Sequence, residues 1–358
     1  MIQKILSQEN FTKEDIVQLL NCSKEEQILL FEKSAKVKEK YIGNYVYLRG
    51  LIEFSNICIK NCFYCGIRKD NSKVSRYNIS DEEILEATKF AYENNYGSIV
   101  LQSGELQNDT FSDRIEKLIT KIKSISDNKL GITLSCGEQS EETYSRWFNA
   151  GAHRYLLRIE TSNIDLYKKI HPNDDTHNWN KRLDCLISLK KIGYQTGTGI
   201  MIGLPFQTIE NLADDLIFMR DFDIDMCGMG PFIEHIETPL YQYKNNLYTL
   251  EKRLNLTFRM IAILRIIMKD INIAATTALQ AIDDIGREKA IRIGANILMP
   301  NITPNEFRDK YILYENKPCT NESSSDCKNC IDVRMKIAGN TIEYGKWGDS
   351  LHFQKQSE

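Results

Sequence analysis

The chain has 358 residues, 42% of them hydrophobic and 27% charged, enough to bury a sizeable core. A net charge of −3 excludes the broad basic surface of a nucleic-acid binder, and no run approaches the roughly 18 apolar residues of a membrane span. The opening residues, Met1-Ile-Gln-Lys-Ile-Leu-Ser-Gln-Glu-Asn, lack the apolar run and cleavage site of a signal peptide, so a cytoplasmic location is expected, where ten cysteines serve metals or chemistry.

Residues 1–44 are expected to form an N-terminal helical extension. Thr12 with Asp15, and Ser23 with Glu26, have capping-box spacing. Ile16, Leu19 and Leu20, then Ile28, Leu29 and Phe31, supply apolar faces. From Tyr45 the pattern alternates. Strands are predicted at Tyr45–Phe54, Ser98–Gln102, Gly131–Ser135, His153–Ile159, Gln195–Ile202, Asp225–Phe232, Asn272–Ala278 and Ala295–Met299. Amphipathic stretches between them predict helices, among them Asp81–Asn94, Ser112–Ser124, Glu141–Asn149, Lys181–Lys191, Ile209–Asp221 and Leu250–Lys269. This repeated strand–helix unit predicts an α/β fold, a (β/α)8 TIM-type barrel over 45–310. An open doubly wound sheet is the alternative. The barrel is preferred because chemistry-bearing residues recur at nearly every strand end, whereas an open sheet gathers them at one crevice. Residues 311–358 form a C-terminal extension carrying a second cysteine group, and the last dozen look like a plain tail.

The first strand runs into Cys58-Ile-Lys-Asn-Cys62-Phe-Tyr-Cys65. Three thiolates in one short loop can hold three irons of a cubic 4Fe-4S cluster and leave the fourth open. A closed zinc site needs four ligands, usually as two pairs, and neither Cys22 nor Cys136 forms a second pair with this loop. The spacing resembles the signature loop of radical S-adenosylmethionine (radical SAM) enzymes. That resemblance implies that SAM chelates the open iron and is cleaved to methionine and a 5′-deoxyadenosyl radical, with Tyr64 beside the adenine. It also implies that Gly104-Glu105 meets the SAM amino group, and that the stretch around Gly203 and Pro205 meets the adenine.

Arg158 and Glu160 lie two apart in a predicted strand and so point to one side. Inside a barrel they must pair with each other or with a ligand such as the SAM zwitterion. Arg182 is a candidate for the SAM carboxylate. Thr133 could face the mouth, Thr276 and Thr277 offer vicinal hydroxyls to a carboxylate, and Met299 could close over the adenine or the substrate. His235 is the one histidine near a predicted strand end and receives no role. Cys319-x7-Cys327-x2-Cys330 suggests a second, peripheral iron–sulfur site, with zinc or a free redox group as alternatives.

Several stretches together resemble the HydE-type maturases of FeFe-hydrogenase: Phe54–Arg68 with the cysteine loop, Val100–Glu105, Tyr155–Thr161, Gly230–Ile233, Ala274–Ala278 and Gly294–Asn301. The likeness covers nearly the whole chain, and the second triplet matches members with an auxiliary cluster. It implies assembly of the diiron subcluster of the hydrogenase active site, on an iron–cysteine–carbonyl–cyanide precursor made by a sister maturase. An electron donor such as ferredoxin or flavodoxin is a further implied partner. Carried over motif by motif, Gln102, Thr133, Arg158, Thr276, Thr277, Met299 and Tyr311 would face the substrate, and Glu105, Glu160 and Arg182 the SAM. The nearest alternatives are methylornithine synthase and biotin synthase. A non-catalytic iron–sulfur carrier or scaffold would leave the residues at the other strand ends unexplained.

Overall fold

A computed structural model of the chain describes residues 2–319 and 324–357, with the backbone alone for 324–329 and 357. The barrel strands are β1 (Tyr45–Ser55), β2 (Ser98–Ser103), β3 (Gly131–Ser135), β4 (Arg154–Leu156), β5 (Gln195–Thr198), β6 (Met226–Cys227), β7 (Asn272–Ile273) and β8 (Ile297–Leu298). They are parallel and pair in the order β8-β1-β2-β3-β4-β5-β6-β7. The ring closes where Asn296 N–H donates to the Ile273 carbonyl and Ala275 N–H to the Ile297 carbonyl, both at 2.9 Å. The expected (β/α)8 barrel is therefore the fold. Beyond β5 and β6 the chain breaks and resumes as a second parallel pair, Met201–Ile202 with Gly230–Pro231, so the mouth is built on irregular backbone.

Local chemistry sets the helix starts. Ser80 and Glu83 form a capping box at the helix Asp81–Glu93, and Thr208 and Asn211 form one at Ile209–Phe222. Two further expectations are corrected. The predicted seventh strand ends at Ile273, and a helix, Thr277–Ile282, begins inside it. The β-propensity of Thr276-Thr277 is overridden by where the ladder ends. The last dozen residues are no plain tail: Leu351–Ser357 is a helix against the barrel.

The N-terminal helices Ile2–Leu6, Lys13–Leu20 and Lys24–Tyr41 start from the expected capping boxes at Thr12 and Ser23. They pack on the barrel's side, against Ile209–Phe222 and Leu250–Ile267. The floor is closed by residues 346–350. Arg154 donates to the Trp347 carbonyl at 3.0 Å and to Asp349 at 2.6 Å. Arg49 and Asn272 both reach the Gly348 carbonyl, at 3.1 and 2.9 Å. The opposite, C-terminal mouth is the end at which barrel enzymes carry their sites.

Candidate active site

β1 delivers its chain end into the loop of Cys58, Cys62 and Cys65, whose side chains line a cavity of about 340 Å³ at the mouth. Burial pushes all three thiols up, Cys65 to about 12. A buried thiolate needs a compensating cation, and metal coordination provides it. Among the described residues no three His, Cys, Asp or Glu side chains are grouped to hold one metal ion. A shared zinc would draw its sulfurs to within about 4 Å of one another. Three thiols around one cavity suit a cluster, each thiol taking its own iron.

Gly104 permits the approach of β2 to this loop, because a Cβ there would strike the Ile57 carbonyl. The contact sets Glu105 N–H 3.3 Å from Cys58 Sγ and Ile59 N–H 2.9 Å from the Glu105 carbonyl. The Glu105 carboxylate enters a four-membered charge cluster. Lys60 lies 3.1 Å from Glu105 and 2.9 Å from Glu138; Arg182 lies 2.7 Å from Glu138 and 3.6 Å from Glu105. Burial, and then Glu138 beside it, raises the Glu105 carboxyl. Burial also acts on Glu138, but Arg182 and Lys60 outweigh it and hold that carboxyl low. Arg182 is closer to Glu138, so Glu105 is the less satisfied acceptor and faces the cavity.

Across the mouth Arg158 grips Glu160 through two parallel bonds of 2.9 and 3.0 Å, the pairing expected from their i, i+2 spacing. Arg158 also donates to the carbonyls of Gly228 and of Ile200, the latter at 2.8 Å. Burial lowers Arg158, but Glu160 outweighs it and the guanidinium is held above its ordinary value. Glu160 itself sits at φ 65, a left-handed conformation that non-glycine residues adopt where surroundings impose it.

Tyr64, Gln102, Gly104, Thr276, Thr277, Met299 and Tyr311 also line the cavity, as do the Arg158, Glu160, Arg182 and Glu105 side chains. Gln102 donates to the Tyr311 hydroxyl at 3.3 Å, and Thr276 to the Met229 carbonyl at 3.2 Å. Thr133 departs from expectation. It lies one inward step below the mouth, where its hydroxyl accepts from Arg154 Nε at 2.9 Å; Ser135 and Gly137 line the cavity in its place. Gly203, at φ 85, faces the aliphatic stem of Arg253 and also stays outside the cavity lining. His235 packs against Gly66. In the second triplet Cys319 is half-buried and Cys330 exposed, and the Cys327 side chain lies outside the described residues.

Sequence reasoning passed over Lys60, Glu138 and a second buried pair, Glu53 with Lys317 at 2.6 Å. A signal existed for Glu138: β3 is followed by Gly137-Glu138, repeating the Gly104-Glu105 pair of the preceding strand. Lys317 had none, since it returns to the wall from the C-terminal extension. His171 and His177, also unremarked, contact the cysteine loop.

Comparison with known proteins agrees with this geometry. The family model of the Radical SAM superfamily matches residues 52–219. The FeFe hydrogenase maturase subunit HydE of Thermotoga maritima is 42% identical over 337 residues, spanning 93% of this chain and 92% of that protein. The 3-methylornithine synthase of Methanosarcina acetivorans is 30% identical over 313 residues, 86% of this chain and 83% of that one. A crystal structure of methylornithine synthase (PylB) shares the fold, with a TM-score of 0.80 at 24% identity, covering 96% of this chain and 97% of the other. Fold, thiol loop and superfamily match together define a radical SAM enzyme. Within that class the chain belongs to the HydE family of hydrogenase maturases.

Proposed function

We propose that the protein cleaves SAM and acts in maturation of the FeFe-hydrogenase H-cluster, on an iron–cysteine–carbonyl–cyanide precursor of its diiron subcluster. The observation that carries this reading is the meeting of three half-buried thiols with two charge systems around one cavity. Cys58, Cys62 and Cys65 would hold a 4Fe-4S cluster, which when bound would supply the single electron for reductive cleavage of SAM. The chain's own groups place SAM. Glu105, which holds Lys60 and Arg182 at longer distances than Glu138 does, accepts from its ammonium. Arg182 takes its carboxylate, and Glu160, held rigid by Arg158, faces the ribose side. Tyr64, on the cluster loop, and Met299 bracket the adenine. Gln102, Thr276, Thr277 and Tyr311 then form the opposite wall, where the substrate lies. A small redox carrier would supply the electron, and the group Cys319, Cys327 and Cys330 would be the place for a second, peripheral cluster. No described helix is long and apolar enough to cross a membrane.

The similarity to 3-methylornithine synthase makes that activity the second reading. A biotin-synthase-like role would need thiols inside the barrel, and neither Cys136 nor Cys227 lines the cavity. Anaerobic reconstitution and dithionite reduction should yield 5′-deoxyadenosine from SAM in the wild type and none in Cys58→Ala. Equal yields from both would sink the enzyme reading. Omission of the protein from a cell-free hydrogenase activation mixture should abolish activation; full activation without it would remove the maturase role and leave the second reading.

A further inference from the structure

The cysteine loop is gripped from outside by residues 170–177, which the proposed chemistry leaves unused. Phe63 N–H donates to the Ile170 carbonyl at 3.1 Å, and the Lys60 ammonium donates to the Thr176 carbonyl. Two histidines add side-chain contacts. Asn61 N–H donates to His177 Nε2 at 2.9 Å, and the Tyr64 hydroxyl lies 3.1 Å from His171 Nε2. These contacts fall on either side of Cys62.

Each imidazole can accept at Nε2 only if its proton sits on Nδ1. For His171 the Nδ1 partner is the Tyr167 carbonyl at 2.9 Å, which accepts only. For His177 it is Asp174 Oδ1 at 2.7 Å. That oxygen is itself fixed by the N–H groups of Thr176 and His177, at 2.9 and 3.0 Å. The rings cannot swing away. His171 stacks on Tyr167 with centroids 3.9 Å apart, meets Tyr64 edge-on, and lies 5.7 Å from the His177 ring. Both histidines are buried, while Asp174 reaches solvent.

We propose that His171 and His177 are positioning residues that hold the loop around Cys62 in its cluster-binding shape before the cluster arrives, with Asp174 fixing the His177 tautomer. The inference rests on the reading of Cys58, Cys62 and Cys65 as cluster ligands. Its physical content is preorganisation: a loop ordered in advance presents its thiols without first losing conformational freedom.

Hydrogen–deuterium exchange of the cluster-free full chain tests this. His177→Ala should speed exchange of the 58–65 peptide about tenfold, the factor expected for one lost hydrogen bond, and leave the strands unaffected. His177→Gln, whose amide oxygen can accept from Asn61, should restore part of the protection. On reconstituted protein, His177→Ala should broaden the EPR spectrum of the reduced cluster and shift its midpoint potential, with the same rescue by Gln. Should His177→Ala loosen the whole chain, Asp174→Ala at an exposed carboxylate carries the test, and its faster exchange should stay within the loop. Unchanged loop exchange in His177→Ala, or in Asp174→Ala where that variant is needed, would overturn the proposal. Because exchange is read without cluster, such a failure leaves the SAM reading standing. Absence of SAM cleavage with a protected loop would sink that reading alone.

Discussion

At the scale of single residues, alternation along a strand tells which side a residue faces and not how deep it lies. Arg158 and Glu160 were legible as a pair because two inward charges in a barrel have few options, and the structure joins them by two bonds. Thr133 was legible only as inward-facing. One pleat repeat separates it from Ser135, and that step decides between the cavity and the packed layer beneath. Arg154 already has one buried N–H, at Nη2, without a partner. Thr133→Val leaves a second N–H of the same guanidinium, at Nε, without an acceptor and should cost about 1–3 kcal/mol. Urea denaturation should show the lower midpoint while SAM cleavage stays at the wild-type rate. Lost cleavage at unchanged stability would return Thr133 to the mouth.

At the scale of elements, type was readable and ends were not. The long strands β1, β2 and β3 follow their apolar runs closely, whereas β6, β7 and β8 keep only two ladder residues each. Their flanks are extended by sequence but bend to form the mouth, which no local propensity encodes. The helix Leu351–Ser357 escaped notice because its anchor is distant in sequence. His352 bridges Asp223 at 2.7 Å and Asp270 at 3.0 Å. The Asp270 hydrogen bond, then Asp223, raises this histidine from its ordinary 6.5 to about 9. The folded state therefore binds the proton more tightly than the unfolded chain. Its contribution is complete below about pH 6.5 and fades as pH rises through about 9. Thermal denaturation between pH 6 and pH 9.5 should show the wild type losing more stability than His352→Gln. Parallel losses in the two proteins would mean that the histidine is not the anchor.

At the scale of the whole molecule, the barrel wall is completed by chain that returns from beyond it. Tyr311, Leu313, Tyr314 and Lys317 all line the cavity, although they follow the last barrel strand. Lys317 is the tie. Its ammonium reaches both Glu53 oxygens, at 2.6 and 2.7 Å, and the Tyr311 carbonyl at 2.8 Å. Asn301 donates to the same carboxylate at 3.0 Å. With three acceptors around three N–H groups, Lys317 has no donor left for a ligand, so its role is to hold the extension in the wall. Removing one partner of such a buried pair strands the other charge, at about 3–5 kcal/mol, whereas removing both charges can be nearly neutral. Lys317→Met should therefore loosen the extension, with faster deuterium exchange over residues 311–319, and Glu53→Gln with Lys317→Met should recover most of the loss. The coupling between the two substitutions is the decisive quantity. If the single variants are as stable as the wild type and their effects simply add, the extension is not fastened through this pair.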